Sequence, residues 1–274
     1  MQLRRPMPII PVFMYHHVNP NKGDMLTITP EVFESQLQHI RHSGYKTLAL
    51  DDVVGFMQGT KPHVDKGIAL TFDDGYLDNY VFAYPLLAHY GLKATIFTVS
   101  NWAGAAAAAP AADRLQAVER CRENTPTHND TKKIIAEGRF HEAVMDWEMI
   151  KEADASGLIR FYSHTAAHRD CDALEGAELM AELRDSKEAL EKNLNKPCEY
   201  LCWPKGRYSA AAVKAAKEAG YKALFTTERG VVKEGADPFE IRRIVIKDGA
   251  QWFRSRVKVY TSPILAELYL KVKG

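Results

Sequence analysis

The sequence predicts an α/β protein whose parallel strands form a closed or nearly closed barrel. Strand candidates alternate with helix candidates along almost the whole chain of 274 residues, which is typical of a parallel sheet covered by helices. About seven or eight such units favour a barrel, and an open, doubly wound sheet is the alternative architecture. Polar residues directly follow the strand candidates, and in α/β barrels this end of the strands carries the chemistry.

Each strand candidate is a short run of apolar and β-branched residues that ends at a polar or turn residue. Runs this short suit strands better than helices. The strand candidates span residues 9–15, 45–50, 67–72, 93–99, 158–162, 199–203, 222–226 and 240–246.

The helix candidates show apolar residues at helical spacing between capping residues. Thr29 and Pro30 suit the start of the first helix, and Gly44 suits its end. Asp51 and Ser209 are the candidate N-caps of two later helices. The helix candidates span residues 30–43, 51–57, 76–90, 147–155, 175–194, 210–219 and 264–272.

The segment from residue 100 to about residue 143 breaks this alternation. It contains an alanine-rich tract at residues 103–112, followed by a polar stretch without a strand candidate. Its length exceeds that of a simple connection, which indicates a partly helical insertion that acts as a lid or binding loop. His128 and His141 in this insertion are expected to be solvated. We interpret residues 1–274 as a single domain that carries the insertion over the carboxyl ends of the strands.

Composition and charge exclude several classes of function. Apolar residues make up 46% of the chain and charged residues 26%, as in an ordinary globular protein. The formal net charge of +1 creates no global field that would attract nucleic acid or an anionic membrane. No apolar run reaches the ~18 residues of a membrane span.

The cysteines and the N-terminal run predict a cytoplasmic location. The cysteines are too sparse for a disulfide framework and form no C-x-x-C pair, so we expect reduced thiols. The run from Pro6 to Met14 is short, contains three prolines and has no small-residue cleavage site. It therefore predicts a first strand rather than a signal peptide. The sequence does not indicate the oligomeric state.

The strand candidate at residues 67–72 ends in two adjacent carboxylates, Asp73 and Asp74, followed by Gly75. Two like charges at the rim of a core repel each other unless a cation lies between them or one carboxyl group is protonated. A solvated turn is the alternative, since Asp and Gly are both turn residues.

His164 and His168 follow another strand candidate and are four residues apart. On a helical turn they would share a face and could bind one ion, whereas two unrelated histidines are the plain alternative. Two imidazoles and one carboxylate leave coordination positions open for water and substrate. Only one of the two aspartates is then needed as a ligand, so the other is free to act as a general base.

These residues resemble the motifs of the polysaccharide deacetylases, the NodB-homology proteins of carbohydrate esterase family 4. The resemblance covers nearly the whole chain, and the segment from Met14 to Val18 resembles the subgroup with a Tyr-His pair near the N-terminus. The motifs that carry it are Thr71-Phe72-Asp73-Asp74-Gly75, His164-Thr165-Ala166-Ala167-His168 and Trp203-Pro204-Lys205-Gly206.

The resemblance implies a distorted (β/α)7 barrel and the metal-dependent removal of an acetyl group from a sugar. By position, Asp73 would be the general base. Asp74, His164 and His168 would bind the metal ion, which we expect to be zinc or another divalent cation. The backbone N–H of Lys205 would donate to the oxyanion of the tetrahedral intermediate.

The sequence departs from the family pattern at two places. Cys202 stands where the family often has an arginine that orients the base, and Lys205 stands where it often has a tyrosine. The segment 243–248 contains no histidine, although the fifth motif of the family normally supplies a general acid there. In the Tyr-His subgroup the acid is attributed to the N-terminal strand, which implies His16, with Lys247 as the alternative.

The remaining candidates concern substrate binding and the neighbour of His16. His17 is expected to point away from the site, because successive strand residues alternate faces. Trp203 could stack on a sugar ring or belong to the core. The candidate substrate-binding residues are Trp203, Pro204, Tyr208 and Lys247.

The sequence therefore predicts a hydrolase that removes an N-acetyl or O-acetyl group from a sugar. The expected carbohydrate substrate belongs to a surface polysaccharide or to its cytoplasmic precursor. One alternative is the removal of another acyl group, such as formyl. Another is an inactive carbohydrate-binding module, which the missing arginine and the missing histidine would favour.

Overall fold

The computed structural model describes residues 7–273, so residues 1–6 and Gly274 of the predicted domain lie outside the described part. Pro6, the first residue of the N-terminal run, is among them. Within residues 7–273 the structure is a closed barrel of seven parallel strands surrounded by helices. The predicted barrel is confirmed, and the open sheet is wrong.

The barrel strands follow one another around the ring in chain order. The ring closes because the first strand pairs in parallel with both the second strand and the last. The seven strands are β1 (Val12–Tyr15), β2 (Gly67–Phe72), β3 (Ala94–Thr98), β4 (Ile159–Ser163), β5 (Tyr200–Cys202), β6 (Ala223–Arg229) and β7 (Ile241–Val245).

Among residues 7–273, five short strands pair outside this ring. Lys46–Thr47 pairs with the start of β2, Ile9–Ile10 pairs with Val232–Lys233, and His17–Val18 pairs with Thr27–Ile28. The strand predicted at residues 45–50 is thus only two residues long, because the helix that follows begins at Leu50.

Helices cover the outside of the barrel. The N-cap predictions hold for two of them, since Thr29 accepts a hydrogen bond from Val32 N–H and Ser209 accepts one from Ala212 N–H. The α-helices in the described part of the chain are α1 (Pro30–His42), α2 (Leu50–Met57), α3 (Tyr84–Tyr90), α4 (Ser100–Ala107), α5 (Ala111–Glu123), α6 (His128–Ala136), α7 (Trp147–Ala155), α8 (Gly176–Leu194), α9 (Ala210–Glu218), α10 (Ala250–Tyr260) and α11 (Pro263–Lys273).

Two helix predictions need correction. Asp51 does not cap α2, whose N-cap position is Ala49; its carboxylate instead accepts hydrogen bonds from the hydroxyls of Tyr162 and Tyr200. The helix predicted after Gly75 begins as a π-helical turn at Asn79–Ala83 and becomes α-helical only at Tyr84. Such turns are frequent at functional sites.

The insertion consists of α4, α5, α6 and a 3₁₀ turn at Phe140–Glu142, placed between β3 and α7. Its contacts with residues at the carboxyl ends of the strands include the tilted rings of Trp102 and His168, the His17–His128 pair, and the bridge between Tyr76 and Val144 at its end. The backbone N–H of Asn101 also donates to the carbonyl oxygen of Ala166.

The barrel interior and the space beneath most of the surrounding helices form one continuous hydrophobic core, and two small separate clusters lie beneath the insertion. Its largest fully buried side chains include Trp203, Phe13, Phe72, Phe97 and Phe225, so the barrel is packed rather than hollow. No helix within residues 7–273 is both long and apolar enough to cross a lipid bilayer.

Candidate active site

Asp73 and Asp74 lie where β2 ends, and the chain turns sharply between them. Asp74 and Gly75 both have positive φ, at +73° and +71°. A Cβ atom on Gly75 would lie 3.0 Å from Thr98 Oγ1, so the turn favours glycine. The turn sends the two neighbouring carboxylates to different partners.

The loop after β4 brings two imidazoles to Asp74. Nε2 of His164 and Nε2 of His168 each lie 3.2 Å from Asp74 Oδ1. The loop is not the helical turn that the four-residue spacing suggested, because Thr165 and His168 have positive φ, at +67° and +60°. An irregular backbone, rather than a helix face, aims both rings at one oxygen.

Hydrogen bonds fix the shape of this loop. The buried carboxylate of Glu182 on α8 accepts the backbone N–H of Ala167 at 2.7 Å and that of Arg169 at 3.3 Å. The Nδ1–H of His164 donates to the carbonyl oxygen of Cys202 at 2.8 Å. This bond leaves the Nε2 lone pair free to face the carboxylate, as in a metal-binding histidine.

Asp74, His164 and His168 fit a divalent metal ion. Their ligand atoms lie within 4.8 Å of one another, and Asp74 Oδ1 is buried without a conventional hydrogen-bond donor among residues 7–273. Acceptor atoms that converge in this way repel one another unless a cation lies between them. One carboxylate and two imidazoles form a zinc-type ligand set with positions left open for other ligands.

Asp73 turns the other way and pairs with Arg243 of β7. Arg243 Nη1 donates to Asp73 Oδ1 and Nη2 donates to Asp73 Oδ2, each at 2.7 Å. Burial alone would raise the pKa of Asp73, but the charge and hydrogen bonds of Arg243 outweigh it and hold the pKa below its usual range. Removing one partner of such a buried pair typically costs ~3–5 kcal/mol of stability.

His16 and His17, just after β1, face opposite sides. His16 Nε2 lies 3.9 Å from Asp73 Oδ2, so this imidazole borders the same site. His17 is buried on the other side, where its Nδ1 is 2.7 Å from Asp78 Oδ2. Burial lowers the pKa of His16 below 6.5, although the Asp73 and Asp74 carboxylates act in the opposite direction.

The turn after β5 has two successive residues with positive φ, Lys205 at +55° and Gly206 at +67°. A Cβ atom on Gly206 would lie 2.0 Å from Thr227 Oγ1, which excludes any larger residue there. The Lys205 side chain pairs with Asp170 at 2.7 Å. Its backbone N–H donates to no acceptor within residues 7–273 and can donate to a ligand.

Backbone strain concentrates in this group of residues. Four of the six non-glycine residues with positive φ within residues 7–273 are Asp74, Thr165, His168 and Lys205. Such conformations cost about 1–3 kcal/mol each and persist where the surroundings impose them, as in active sites.

Comparison with known proteins agrees with this geometry. The sequence model of the family described as polysaccharide deacetylase matches residues 60–224, which is more than half of the chain. This chain belongs to the polysaccharide deacetylase family. Members of this family are hydrolases, and the deacetylase activity expected from the motifs follows from membership.

Several curated proteins resemble this deacetylase. YxkH of Bacillus subtilis, whose name assigns it to the polysaccharide deacetylases, is 27% identical over 240 residues, covering 88% of this chain and 72% of its own. A poly-β-1,6-N-acetyl-D-glucosamine N-deacetylase of Escherichia coli strain K12 is 25% identical, but only 34% of its length is covered. The protein of the same name from Staphylococcus aureus strain MRSA252 is 23% identical, with 87% of this chain and 74% of its own covered.

Solved structures show the same fold. The deacetylase PplD of Streptococcus pyogenes, in complex with acetate, superposes with a TM-score of 0.75 at 24% identity over 94% of this chain and 100% of its own. IcaB of Ammonifex degensii superposes with a TM-score of 0.71 at 19% identity over 93% of this chain and 98% of its own.

The four candidate substrate-binding residues of this deacetylase differ in their positions. Trp203 is fully buried and stacks on Tyr208 with ring centroids 5.4 Å apart, so its faces are closed to a sugar. Pro204 is buried beside it, whereas Tyr208 is partly exposed. Lys247 is exposed and borders a surface cavity with Trp252 and Arg256, away from the group around Asp73 and Asp74.

Sequence reasoning missed three residues of this site. Arg243 stood within the segment that was searched only for a histidine; an arginine between Ile241 and Ile244 in a buried strand was a usable signal. Glu182 resembled any solvated helix residue. Trp102 lay in the insertion, and nothing in its neighbours indicated the contact with His168.

Proposed function

We propose that this deacetylase removes N-acetyl groups from N-acetylhexosamine units of a surface polysaccharide or its precursor, with zinc as the metal ion. The convergence of Asp74, His164 and His168 beside an arginine-paired Asp73 carries the proposal. The substrate class agrees with the names of the E. coli and S. aureus relatives, which are N-deacetylases of poly-β-1,6-N-acetyl-D-glucosamine.

Asp74, His164 and His168 would hold the metal ion. When bound, such an ion polarises the acyl carbonyl group and acidifies water, which makes hydrolysis feasible near neutral pH. The backbone N–H of Lys205 is free to donate to the oxyanion that forms during attack. The rigid turn at Lys205 and Gly206 supplies this donor whatever side chain stands at position 205.

Asp73 acts as the general base and His16 as the general acid. Asp73 accepts the proton of the attacking water, and its low pKa makes the resulting carboxylic acid a ready donor. His16 Nε2, 3.9 Å from Asp73 Oδ2, is near enough to receive this proton after a small movement or through one water. The imidazolium then protonates the leaving amine, so one proton passes from water to amine.

The insertion and two aromatic residues would shape substrate binding. The ring centroids of Trp102 on α4 and His168 lie 5.2 Å apart. Tyr208, which is partly exposed, follows the motif that contains Trp203 and Pro204. Both rings can contact a sugar. Trp203 stacks on Tyr208 and is not assigned a sugar contact. Lys247 lines a surface cavity whose lining does not include Asp73, whereas His16 Nε2 lies 3.9 Å from Asp73 Oδ2, so His16 is preferred as the acid.

Two further predictions remain part of this proposal. Membership of the Tyr-His subgroup is supported by the distance of 3.9 Å between His16 Nε2 and Asp73 Oδ2. A cytoplasmic location agrees with four buried, unpaired cysteines, Cys121, Cys171, Cys198 and Cys202. Fractionation of the producing cells would test the location directly.

The alternative of an inactive carbohydrate-binding module is weakened, because other residues replace the missing arginine at position 202 and the missing histidine of segment 243–248. Arg243 supplies a guanidinium group to Asp73, and His16 supplies an imidazole. The formyl alternative differs only in the acyl group, so product identification decides between the two.

The test is the release of free acid from acetylated and formylated glucosamine oligosaccharides by the zinc-loaded protein. We expect acetate from the N-acetylated oligomers. The Asp73→Asn variant should keep its metal and lose a factor of roughly 10²–10⁴ in rate, because only the base is removed. Formate as the sole product would favour the alternative, and no product from any oligomer would refute the proposed enzyme.

A further inference from the structure

We propose that a cavity on the outside of the barrel, between the end of β7 and the helices α10 and α11, binds the phosphate group of a phosphate ester. The cavity has a volume of about 500 Å³. Lys247, which the proposed deacetylase mechanism does not use, is one of its lining residues. The site lies apart from Asp73 and depends on no step of that mechanism.

The lining of this cavity is cationic and aromatic. No carboxylate of residues 7–273 lines it. Asp248, the acid next to Lys247 in the chain, accepts a hydrogen bond from the backbone N–H of Thr29 at 3.3 Å. The charged lining residues are Arg229, Lys247 and Arg256, and the aromatic ones are Trp252, Tyr260 and Tyr269. A cavity with this lining attracts an anion.

α10 forms one wall of the cavity through its helical period. Trp252, Arg256 and Tyr260 follow one another at intervals of four residues, so they share a face of α10. Cζ of Arg256 lies 4.4 Å from the ring centroid of Tyr269 on α11 and 5.7 Å from that of Trp252. The two rings restrict the guanidinium group but leave its full positive charge in place. Arg256 is thus a positioned cation at the cavity.

The chain itself supplies no counterion for two of these cations. Within residues 7–273, neither Lys247 nor Arg256 pairs with a carboxylate, and the Nε–H of Arg256 is buried without an acceptor. Arg256 is partly buried, and charges withdrawn from water are normally paired. The missing negative charge would come from a ligand.

The charge and the size of the cavity suit a phosphate ester. A phosphate monoester carries a charge of about −1.5 to −2 at neutral pH, which matches two unpaired cations. Arginine and lysine both bind phosphate oxygens through short, charge-assisted hydrogen bonds. The volume lies in the range of small-molecule sites and leaves room for the organic part of the ester.

Strand β7 separates this cavity from the proposed base. Successive residues of a strand face opposite sides. Arg243 contacts Asp73 inside the barrel, whereas its neighbour Ile244 lines the cavity outside. Occupancy of the cavity can therefore be measured as binding, without reference to acetate release.

The test measures the binding of glucose 1-phosphate to the wild type, Lys247→Gln and Arg256→Gln by isothermal titration calorimetry. Glucuronate, with a carboxylate, and uncharged glucose are the ligand controls. We expect glucose 1-phosphate to bind most tightly, and each substitution to raise its Kd roughly 10–100-fold, because each removes a charged donor. Arg254→Gln changes an exposed arginine of α10 that does not line the cavity, and it should keep the wild-type Kd.

Vesicles distinguish the two sources of the phosphate group. Phosphatidylcholine vesicles that contain phosphatidic acid present a phosphate monoester on a membrane, and co-sedimentation measures binding to them. Vesicle binding that Lys247→Gln weakens would identify a lipid headgroup, whereas binding of glucose 1-phosphate alone would identify a soluble ester. The proposal is overturned by no binding to either, by tighter binding of glucuronate than of glucose 1-phosphate, or by equal affinity of the wild type and folded Lys247→Gln.

Discussion

At the scale of single residues, neighbours in sequence have different partners in space. Asp73 and Asp74 are adjacent, yet one pairs with a guanidinium and the other faces two imidazoles. His16 and His17 are also adjacent, and they lie on opposite sides of the strand end. The proposed role of each residue therefore depends on the partner that the fold places beside it, and not on the residue type alone.

The two histidines provide a matched pair for the acid assignment. His16→Ala should lower kcat strongly without changing metal content, because the leaving amine loses its proton donor. His17→Ala should leave kcat much closer to the wild-type value, since this ring contacts Asp78 rather than Asp73. Rate and zinc content of each purified variant are the measurements. Equal loss in both variants would contradict the assignment.

At the scale of elements, the loops at the strand ends depend on supports from distant helices. The loop that carries His164 and His168 is held by Glu182, near the first third of α8. A residue that touches no ligand atom thereby fixes the direction of two of them. Mutations of such supporting residues typically lower metal affinity ~10–100-fold.

Glu182→Ala should therefore weaken zinc binding while the fold remains intact. The variant loses the acceptor for the N–H groups of Ala167 and Arg169, so the loop no longer holds both imidazoles in place. We expect about a 10–100-fold rise in the zinc dissociation constant, measured by competition with a chelating dye. Glu188→Ala, at an exposed position later in the same helix, is the control. Unchanged affinity in Glu182→Ala would show that the loop holds its shape alone.

At the scale of the whole molecule, the insertion is joined to the barrel through buried polar groups. Asp78 Oδ2 accepts from His17 and from Asn19 at 2.7 Å each, and His17 Nε2 lies 3.1 Å from His128 Nδ1 on α6. His128 is half-buried, so its expected solvation is wrong. The Asp78 carboxylate fixes His17, which in turn contacts the first residue of α6 in the insertion.

This join should make stability depend on pH. Burial, with His17 and Lys132 nearby, lowers the pKa of His128 to about 4, although Asp24 and Asp74 act in the opposite direction. The unfolded chain binds this proton near pH 6.5, whereas the folded chain binds it only near pH 4. The contribution of His128 to the free energy of unfolding is therefore fully present above pH 6.5 and is lost as the pH falls from 6.5 toward 4.

Thermal unfolding at a series of pH values checks this expectation. His128→Gln should show a shallower loss of Tm below pH 6.5 than the wild type, because its titrating group is gone. The control is His89→Gln, which replaces an exposed histidine on α3 and should keep the wild-type slope. Identical slopes for all three proteins would remove His128 as the cause.

Local signals in the sequence were enough to predict the barrel, because alternating apolar runs and N-caps such as Thr29 and Ser209 depend only on residues close in sequence. They were also enough to mark Asp73, Asp74, His164 and His168 as a group. Local signals could not predict the Arg243–Asp73 pair, because the two residues are 170 positions apart and meet only when the barrel closes. The shape of the His164–His168 loop depended on Glu182 in the same way.

Ring closure also has a consequence for the order in which the protein becomes active. Val12–Tyr15 must pair with Ile244 and Val245, which are more than two hundred residues later, before the barrel is complete. Until then Asp73 has no counterion and His16 has no fixed neighbour. A nascent chain that has not yet exposed β7 outside the ribosome thus holds every proposed metal ligand, but its proposed base, Asp73, is not yet paired with Arg243. We therefore expect full activity only after the last strand is inserted.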